Sequence, residues 1–276
     1  MNISQALTYG TMTLKSSDSP EIDSQALLCH VLICTPTYLH MWSDKLLTDQ
    51  QQRQFKLLVE QRLTGLPVAY VIGLRGFWSL DLKVSPATLI PRPDTELLVS
   101  LALTKLKPEM MVADLGTGSG AIALSIAHEL PALHVLAMDF SQAALELAHE
   151  NAIANGLSNV HFWQGSWLEA VSDKSLDMVV SNPPYIEQHD PHLSQGDVRF
   201  EPITALASGC DGLDDIRLIV QQAQRCLKPS GWLMVEHGYH QSEQVQFLFN
   251  AAGFDNVSAN QDFGGQDRVV IGQLTL

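Results

Sequence analysis

Apolar residues recur at helical spacing through the first 72 positions. Ile3, Leu7 and Leu14 mark a short amphipathic helix. Ser19-Pro20 reads as an N-cap followed by proline at the first helical position, ahead of an apolar stretch reaching Ile33. Thr48 with Gln51 fits a capping box, and Phe55, Leu58, Val59 and Arg62-Leu63 follow on one helical face. Thr35-Pro36-Thr37 between these helices is a turn signal. The period then changes. Trp78, Leu80, Leu82 and Val84 alternate with Ser79, Asp81 and Lys83, which predicts a strand ended by Ser85-Pro86. A second strand through Thr88-Leu89-Ile90 would complete a hairpin. Pro91 and Pro93 interrupt regular structure until Asp94, the expected cap of a helix carrying Leu97, Leu98 and Leu101.

From Met110 onward short apolar runs alternate with helical stretches. Strands are predicted at 111–115, 134–139, 159–164, 176–181, 231–236, 255–260 and 267–273, and helices at 120–129, 141–154, 213–227 and 241–252. Such alternation argues an α/β fold, a largely parallel sheet with helices on both faces. Ligands bind such sheets outside the carboxyl ends of the strands, where the strand order reverses. The expected organisation is a helical domain at 1–72, a β-hairpin linker at 73–92 and an α/β domain at 93–276, with no internal repeat.

Composition narrows the partners more than the fold. A chain of 276 residues, 46% hydrophobic and 17% charged, is globular and long enough for two domains. No apolar run approaches the roughly 20 residues needed to cross a bilayer, and Met1–Leu14 lacks the basic and apolar regions of a signal peptide. None of Cys29, Cys34, Cys210 and Cys226 forms a C-x-x-C pair, which fits free thiols in a reducing compartment. A cytoplasmic protein without membrane contact is expected. The pairs His189/His192 and His237/His240 lack further ligands at matching spacing, so no metal site is expected. Lys and Arg number 16 against 30 Asp and Glu, a net charge of −14. Nucleic-acid binding draws much of its affinity from basic side chains, so no direct nucleic-acid contact is expected; a basic protein partner suits the charge better.

Two motifs carry the chemistry. Asp114-Leu115-Gly116-Thr117-Gly118-Ser119-Gly120 lies at the first strand-to-helix turn of the α/β domain, where glycines let a ligand approach the backbone. Asp139 ends the next strand and can accept hydrogen bonds from both hydroxyls of a ribose. Gly116, Gly118 and Ala121 also satisfy a dinucleotide pattern. Against that reading, a third glycine falls at Gly120, and Asp114 is placed to meet a ligand ammonium, which methionine-derived cofactors have and NAD lacks. The second motif, Asn182-Pro183-Pro184-Tyr185, follows the strand 176–181. Two prolines make a stiff turn with free carbonyl acceptors. The Asn182 and Pro183 carbonyls can take the two N–H groups of a planar NH₂, and Tyr185 offers an aromatic face for a flat group. Polarising both N–H bonds toward acceptors returns electron density to a nitrogen that is otherwise a weak nucleophile.

These two motifs together resemble class I S-adenosylmethionine methyltransferases acting on amino nitrogens. Phe77-Trp78-Ser79-Leu80, Leu89-Ile90-Pro91-Arg92-Pro93-Asp94-Thr95-Glu96, Asp197-Val198-Arg199-Phe200-Glu201-Pro202 and Glu236-His237-Gly238 narrow the resemblance to the HemK/PrmC family, the peptide chain release factor glutamine N5-methyltransferases. The resemblance covers nearly the whole chain and implies a Rossmann-like, seven-stranded, mostly parallel methyltransferase domain behind a small N-terminal helical domain and a β-hairpin linker. It implies S-adenosylmethionine as cofactor, held by Gly116, Thr117, Gly118, Ser119, Gly120, Asp139, Trp167 and Asn182. The implied substrate is the glutamine of the Gly-Gly-Gln loop in bacterial release factors, held by Asn182, Pro183, Pro184 and Tyr185, with Asn182, Pro183 and Tyr185 as the catalytic set. Arg92, Glu96 and Glu201 would orient the site from behind, and residues 1–72 would dock the partner of a monomeric enzyme. An adenine N6 or guanine N2 methyltransferase acting on DNA or RNA is the alternative, since those groups are also NH₂ on planar carbon. A nicotinamide oxidoreductase would leave Asn182 to Tyr185 without a purpose. The chain's own Gly264-Gly265-Gln266 copies the substrate motif but lies between two predicted strands, and a glycine turn is expected there.

Overall fold

The computed structural model describes residues 1–275. The chain divides into two compact units, residues 1–74 with 195–200, and residues 75–194 with those from 201 onward.

The first unit is helical: α1 (Ile3–Thr13), α2 (Pro20–Leu32), α3 (Pro36–Met41), α4 (Asp49–Leu63) and α5 (Val68–Ile72). Asn2 and Gln5 cap α1 reciprocally, and Thr48 and Gln51 do the same for α4. Thr35-Pro36, read as a turn, starts α3 instead, because proline at the first helical position gives up an N–H that has no partner there. Ser19 stands at the N-cap of α2, but its hydroxyl donates to Asp23 at 3.0 Å rather than capping. Ile3, Leu27, Leu28 and Phe55 are fully buried and form the centre of this unit.

The second unit opens with a hairpin of β1 (Leu74–Phe77) and β2 (Leu80–Lys83). The predicted hairpin is shifted. Trp78, expected in a strand, is in the turn at φ 54°, held by its N–H to Glu96 Oε1 (2.9 Å) and its indole Nε1–H to Glu129 Oε1 (2.7 Å). Thr88-Leu89-Ile90 forms no strand: Thr88 N–H turns back to the Ser85 carbonyl, and Ile90 N–H donates to the Glu201 side chain. Asp94 caps no helix; it lies within a 3₁₀ turn, Pro93–Thr95, that runs directly into α6 (Glu96–Leu103).

The alternating elements then follow: β3 (Met111–Leu115), α7 (Ala121–Glu129), β4 (His134–Asp139), α8 (Gln142–Ala154), β5 (Val160–Gln164), β6 (Leu176–Ser181), α9 (Asp214–Cys226), β7 (Leu227–Glu236), α10 (Ser242–Ala251), β8 (Phe254–Gln261) and β9 (Asp267–Leu274). They build a seven-stranded sheet in the order β5-β4-β3-β6-β7-β9-β8. The first five strands are mutually parallel, and β9 runs antiparallel to both β7 and β8. Apolar side chains on both faces of β3, β6 and β7 explain why these strands read as continuous apolar runs. β7 begins four residues before its prediction, since Pro229, Ser230 and Gly231 form an irregular start that shifts its register against β6. Gly264-Gly265-Gln266 lies in the turn between β8 and β9, with Gly265 at φ 77°. Asn151 on α8 joins the hairpin to the sheet: its carboxamide exchanges hydrogen bonds with the Lys83 backbone and donates to the Ser119 carbonyl at 2.9 Å.

Candidate functional site

The strand order reverses around β3, whose neighbours are β4 and β6. In the β3–β6 ladder Leu115 pairs with Ser181, and Ser181 Oγ donates to the Leu115 carbonyl at 2.8 Å. The residues that follow, Gly116 and Asn182, therefore leave the sheet side by side. Register alone brings the two sequence motifs to one place, at the carboxyl ends where α/β sheets bind ligands.

A cavity of about 490 Å³ opens there. Gly116, Thr117, Gly118, Ser119, Asp139, Trp167, Asn182 and Pro184 line it. Gly120, Pro183 and Tyr185 are not on its wall. Gly120, at φ 87°, starts α7 so close to Leu124 and Ala148 that only glycine fits. Pro183 is buried. Tyr185 packs its ring against the core beside β6 and β7 rather than presenting it to the cavity. Its N–H donates to the Leu206 carbonyl, its carbonyl accepts from Gln241 Nε2 at 3.0 Å, and its hydroxyl points at Glu236 Oε1 across 3.4 Å. Burial, and then the neighbouring Glu236, raise the Tyr185 pKa.

The glycine loop is held by two carboxylates of different character. Asp139 accepts from Gly118 N–H at 2.9 Å and Ser141 N–H at 2.8 Å, and burial raises its pKa. Asp114, expected to face a ligand, does not line the cavity. It is fully buried, with Oδ2 accepting from the Thr117 hydroxyl (2.7 Å) and the Ala123 N–H (3.1 Å). Its Oδ1 has no hydrogen-bond partner, and burial pushes this carboxyl up to about 7. The Trp167 ring flanks the loop, 3.5 Å from where a β-carbon on Gly116 would stand, the distance of an ordinary van der Waals contact. Phe140, mostly exposed, adds a second aromatic beside Asp139. Sequence reasoning passed over it, although an aromatic directly after a strand-ending acid was a visible signal.

Of the three residues expected behind the site, Arg92 lines the cavity and pairs with Glu201 at 2.5 Å. Glu201 is buried and also accepts the Ile90 N–H, so it sets the path of the chain into the 93–95 turn. Glu96 is occupied elsewhere, in the hairpin turn. One residue with no role assigned from sequence, Thr95, meets Asn182 instead. Asn182 Nδ2 donates to Thr95 Oγ1 at 3.1 Å. Burial pushes the Glu236 carboxyl up to about 7.

Chemically, the cavity combines a glycine loop with no cation against it, a strand-end carboxylate, two aromatic rings and an asparagine amide. Among the described residues its charged lining is Arg92, Asp139 and Asp215, with Arg92 already neutralised by Glu201. Such a lining suits a neutral or cationic nucleoside derivative and offers little to a pyrophosphate.

Comparison with known proteins agrees with this geometry. Residues 5–73 match the PrmC N-terminal domain, and residues 93–198 match the methyltransferase small domain. The chain is 51% identical to a release factor glutamine methyltransferase of Aliivibrio fischeri, over 95% of this chain and 93% of that protein. It is 48% identical to one of Vibrio cholerae, over 99% and 97%. Among solved structures, a methyltransferase from Pyrococcus furiosus superposes with a TM-score of 0.56 over 80% of this chain and 98% of that one, at 17% identity, a likeness of fold.

Proposed function

The chain belongs to the release factor glutamine methyltransferase family, and on that premise we propose that it transfers a methyl group from S-adenosylmethionine to the side-chain amide nitrogen of the glutamine in the Gly-Gly-Gln loop of peptide chain release factors. The observation that carries this is the position of Asn182 beside the glycine loop, with its Nδ2 tied back to Thr95. That leaves Oδ1 as the free end of the carboxamide, an acceptor suited to an incoming NH₂ group.

The residues present fit the cofactor. Gly116 to Ser119 bring backbone close to it, Asp139 has lone pairs for ribose hydroxyls, and Trp167 and Phe140 offer faces for an adenine. Asp114 keeps an unpaired buried carboxylate oxygen behind the loop, which favours a cationic ligand in front of it. When bound, the cofactor supplies an electrophilic methyl group on a sulfonium. The rest falls to the chain's own side chains. Asn182 Oδ1 and the Pro183 carbonyl accept the two N–H groups of the substrate amide, drawing electron density to its nitrogen and holding its π face toward the methyl group. Pro184 keeps the turn rigid, and Tyr185 anchors it to Glu236, Gln241 and Leu206. The helical residues 1–74 dock the protein substrate in this reading, and the enzyme works as a monomer in the cytoplasm. Among the described residues no helix is long and apolar enough to cross a membrane.

The test is methyl transfer from labelled S-adenosylmethionine to a purified release factor, against the same factor with its loop glutamine changed to alanine. Label on the first alone is the expected result. Label on neither, with cofactor binding intact, overturns the reading and directs attention to nucleic-acid amines.

A further inference from the structure

We propose that Gln241 is a positioning residue for methyl transfer: its buried carboxamide fixes the Tyr185 carbonyl and so sets where the Asn182 and Pro183 acceptors stand. The proposal rests on the role given above to the turn Asn182–Tyr185. It assigns the aim of that turn to a side chain that lines no part of the cavity.

Gln241 breaks a local rule. It is the N-cap of α10, a position that favours Ser, Thr, Asp or Asn, whose side-chain oxygen accepts a helix N–H. Gln241 makes no such bond. The residue is 2% exposed, and its side chain is spent on three main-chain groups instead. Oε1 accepts the Gly238 N–H at 2.8 Å, while Nε2 donates to the Tyr185 carbonyl at 3.0 Å and the Asp211 carbonyl at 3.2 Å. A backbone N–H only donates and a backbone carbonyl only accepts, so these partners admit one orientation of the carboxamide. A helix cap given up for three bonds elsewhere marks a side chain whose use lies outside its own helix.

The three groups belong to three loops at the carboxyl end of the sheet. Gly238 follows β7, Tyr185 closes the turn after β6, and Asp211 leads into α9. Main-chain bonds strap the second loop to the stretch before the third. Tyr185 and Ile186 N–H groups donate to the Leu206 carbonyl, Ser208 N–H to the Ile186 carbonyl and Gln188 N–H to the Gly209 carbonyl. Gln241 closes this strap at its far end. Gly212 shows how tightly it is drawn. At φ 74°, a β-carbon there would overlap the Tyr185 carbonyl oxygen and lie 2.7 Å from Gln241 Nε2.

The acceptors thus stand between two fixed points. Ser181, before Asn182, is held in the sheet between Leu115 and Val235. Tyr185, after Pro184, is held by Leu206, by Gln241 and more loosely by Glu236 across 3.4 Å. Pro183 and Pro184 have no N–H of their own to anchor the turn and pass any movement of Tyr185 along a stiff backbone. A shift of the Tyr185 carbonyl therefore swings the Pro183 carbonyl. A misplacement of about 1 Å is enough to cost roughly 100-fold in rate when reacting groups must meet in line. The glycine loop and Asp139 are held by bonds of their own.

The experiment uses full-length protein with Gln241→Glu, Gln241→Met and Gly212→Ala. It combines kinetics on intact release factor, calorimetric affinity for S-adenosylhomocysteine and the ¹H–¹⁵N signals of the Asn182 side-chain amide. Glutamate keeps the length and the acceptor for Gly238 but turns an oxygen toward two carbonyls. Methionine keeps the bulk and removes all three bonds. Alanine at 212 pushes the Tyr185 carbonyl from the other side. Each is expected to lower kcat roughly 10- to 100-fold, to keep S-adenosylhomocysteine affinity within about twofold of wild type, and to shift the Asn182 amide signals. A residue that only stabilised the fold would lower the melting temperature and leave kcat of the folded enzyme alone. Wild-type kcat in the two Gln241 proteins overturns the proposal. So does loss of S-adenosylhomocysteine binding or of folding in both, since Gln241 would then support the whole end of the sheet rather than aim the turn. If wild-type enzyme transfers no methyl group to release factor, the reading of function fails, and the Asn182 signals in Gln241→Glu still decide whether Gln241 orients the turn.

Discussion

Gly118 donates its backbone N–H to Asp139 Oδ2 at 2.9 Å, and with the Thr117 N–H bonded to the Met138 carbonyl at 2.9 Å it joins the glycine loop after β3 to the end of β4. The other carboxylate oxygen accepts the Ser141 N–H, at the start of α8. Asp139 thus shapes the loop before any ligand arrives and also lines the cavity. Asp139→Ala should weaken binding of S-adenosylhomocysteine by roughly 1.5–3 kcal/mol, the worth of hydrogen bonds to a charged group. Isothermal titration checks this; an unchanged Kd would show that the loop holds its form without the carboxylate.

Gly120 makes a different demand. Its φ of 87° disfavours any side chain, and a β-carbon there would lie 2.8 Å from Leu124 Cδ1 and 3.3 Å from Ala148 Cβ. Gly120→Ala should cost about 1–2 kcal/mol for the left-handed backbone and about 1–3 kcal/mol more for overpacking. A calorimetric scan should show the loss in the transition of the sheet unit. A transition at the wild-type temperature would mean that α7 shifts to make room at no cost.

How far the sequence revealed this fold depended on where each backbone group finds its partner. The strands of the sheet were legible to within a residue or two, except the start of β7, and the central ones most plainly, because burial on both faces of β3 and β6 leaves an apolar run. The hairpin was misplaced because Leu80, Leu82 and Val84 alternate clearly, whereas Leu74–Phe77 carries Arg75 and Gly76 in its centre. Thr88-Leu89-Ile90 looked like a strand and is not one, since Ile90 N–H goes to a side chain 111 residues away. The site was legible as two motifs. What joins them, the Leu115–Ser181 register, and what backs them, the Thr95 hydroxyl behind Asn182, exist only once distant segments meet. The burial of Asp114 was hidden for the same reason.

Asp114 gives a prediction in pH. Its folded-state pKa is raised by burial to about 7. Between the ordinary carboxylate range and that value the folded state keeps a proton that the unfolded state gives up. Stability from this group is therefore present in acid and is lost as pH rises toward about 7. Glu236 acts with the same sign in the same window. Asp211 and Asp262, whose pKa values are lowered by arginine and backbone partners, act oppositely, but only in stronger acid. Asp114→Asn should therefore show a shallower fall of Tm from mildly acidic to mildly alkaline buffer than wild type. Parallel Tm curves for the two proteins would contradict a raised Asp114.

Asn182→Ala separates chemistry from binding. The substitution removes the acceptor proposed for the substrate NH₂ and leaves the glycine loop, Asp139 and Trp167 in place. Turnover should fall by roughly 2–4 kcal/mol in the barrier, as for other lost transition-state partners. Affinity for S-adenosylhomocysteine should move little. Single-turnover rates at saturating cofactor measure the first and titration the second; unchanged turnover would remove Asn182 from the chemistry.

The helical unit offers a control that leaves the cavity alone. Arg62 is 10% exposed and Asp23, 2.7 Å from its Nε, is 7% exposed. The same guanidinium reaches the Gly65 and Leu66 carbonyls and Asp197, at 3.0–3.1 Å. It thereby ties α4, the turn after it and the 195–200 segment to one point. Removing the cation would strand a buried carboxylate, which costs more than the pair itself contributes, on the order of 3–5 kcal/mol. Arg62→Ala should therefore unfold residues 1–74 at lower temperature while S-adenosylhomocysteine affinity, which belongs to the sheet unit, stays at the wild-type value. Activity on an intact release factor should fall with the helical unit if that unit docks the substrate. Full activity at a temperature where calorimetry shows the helical unit unfolded would mean that docking lies elsewhere.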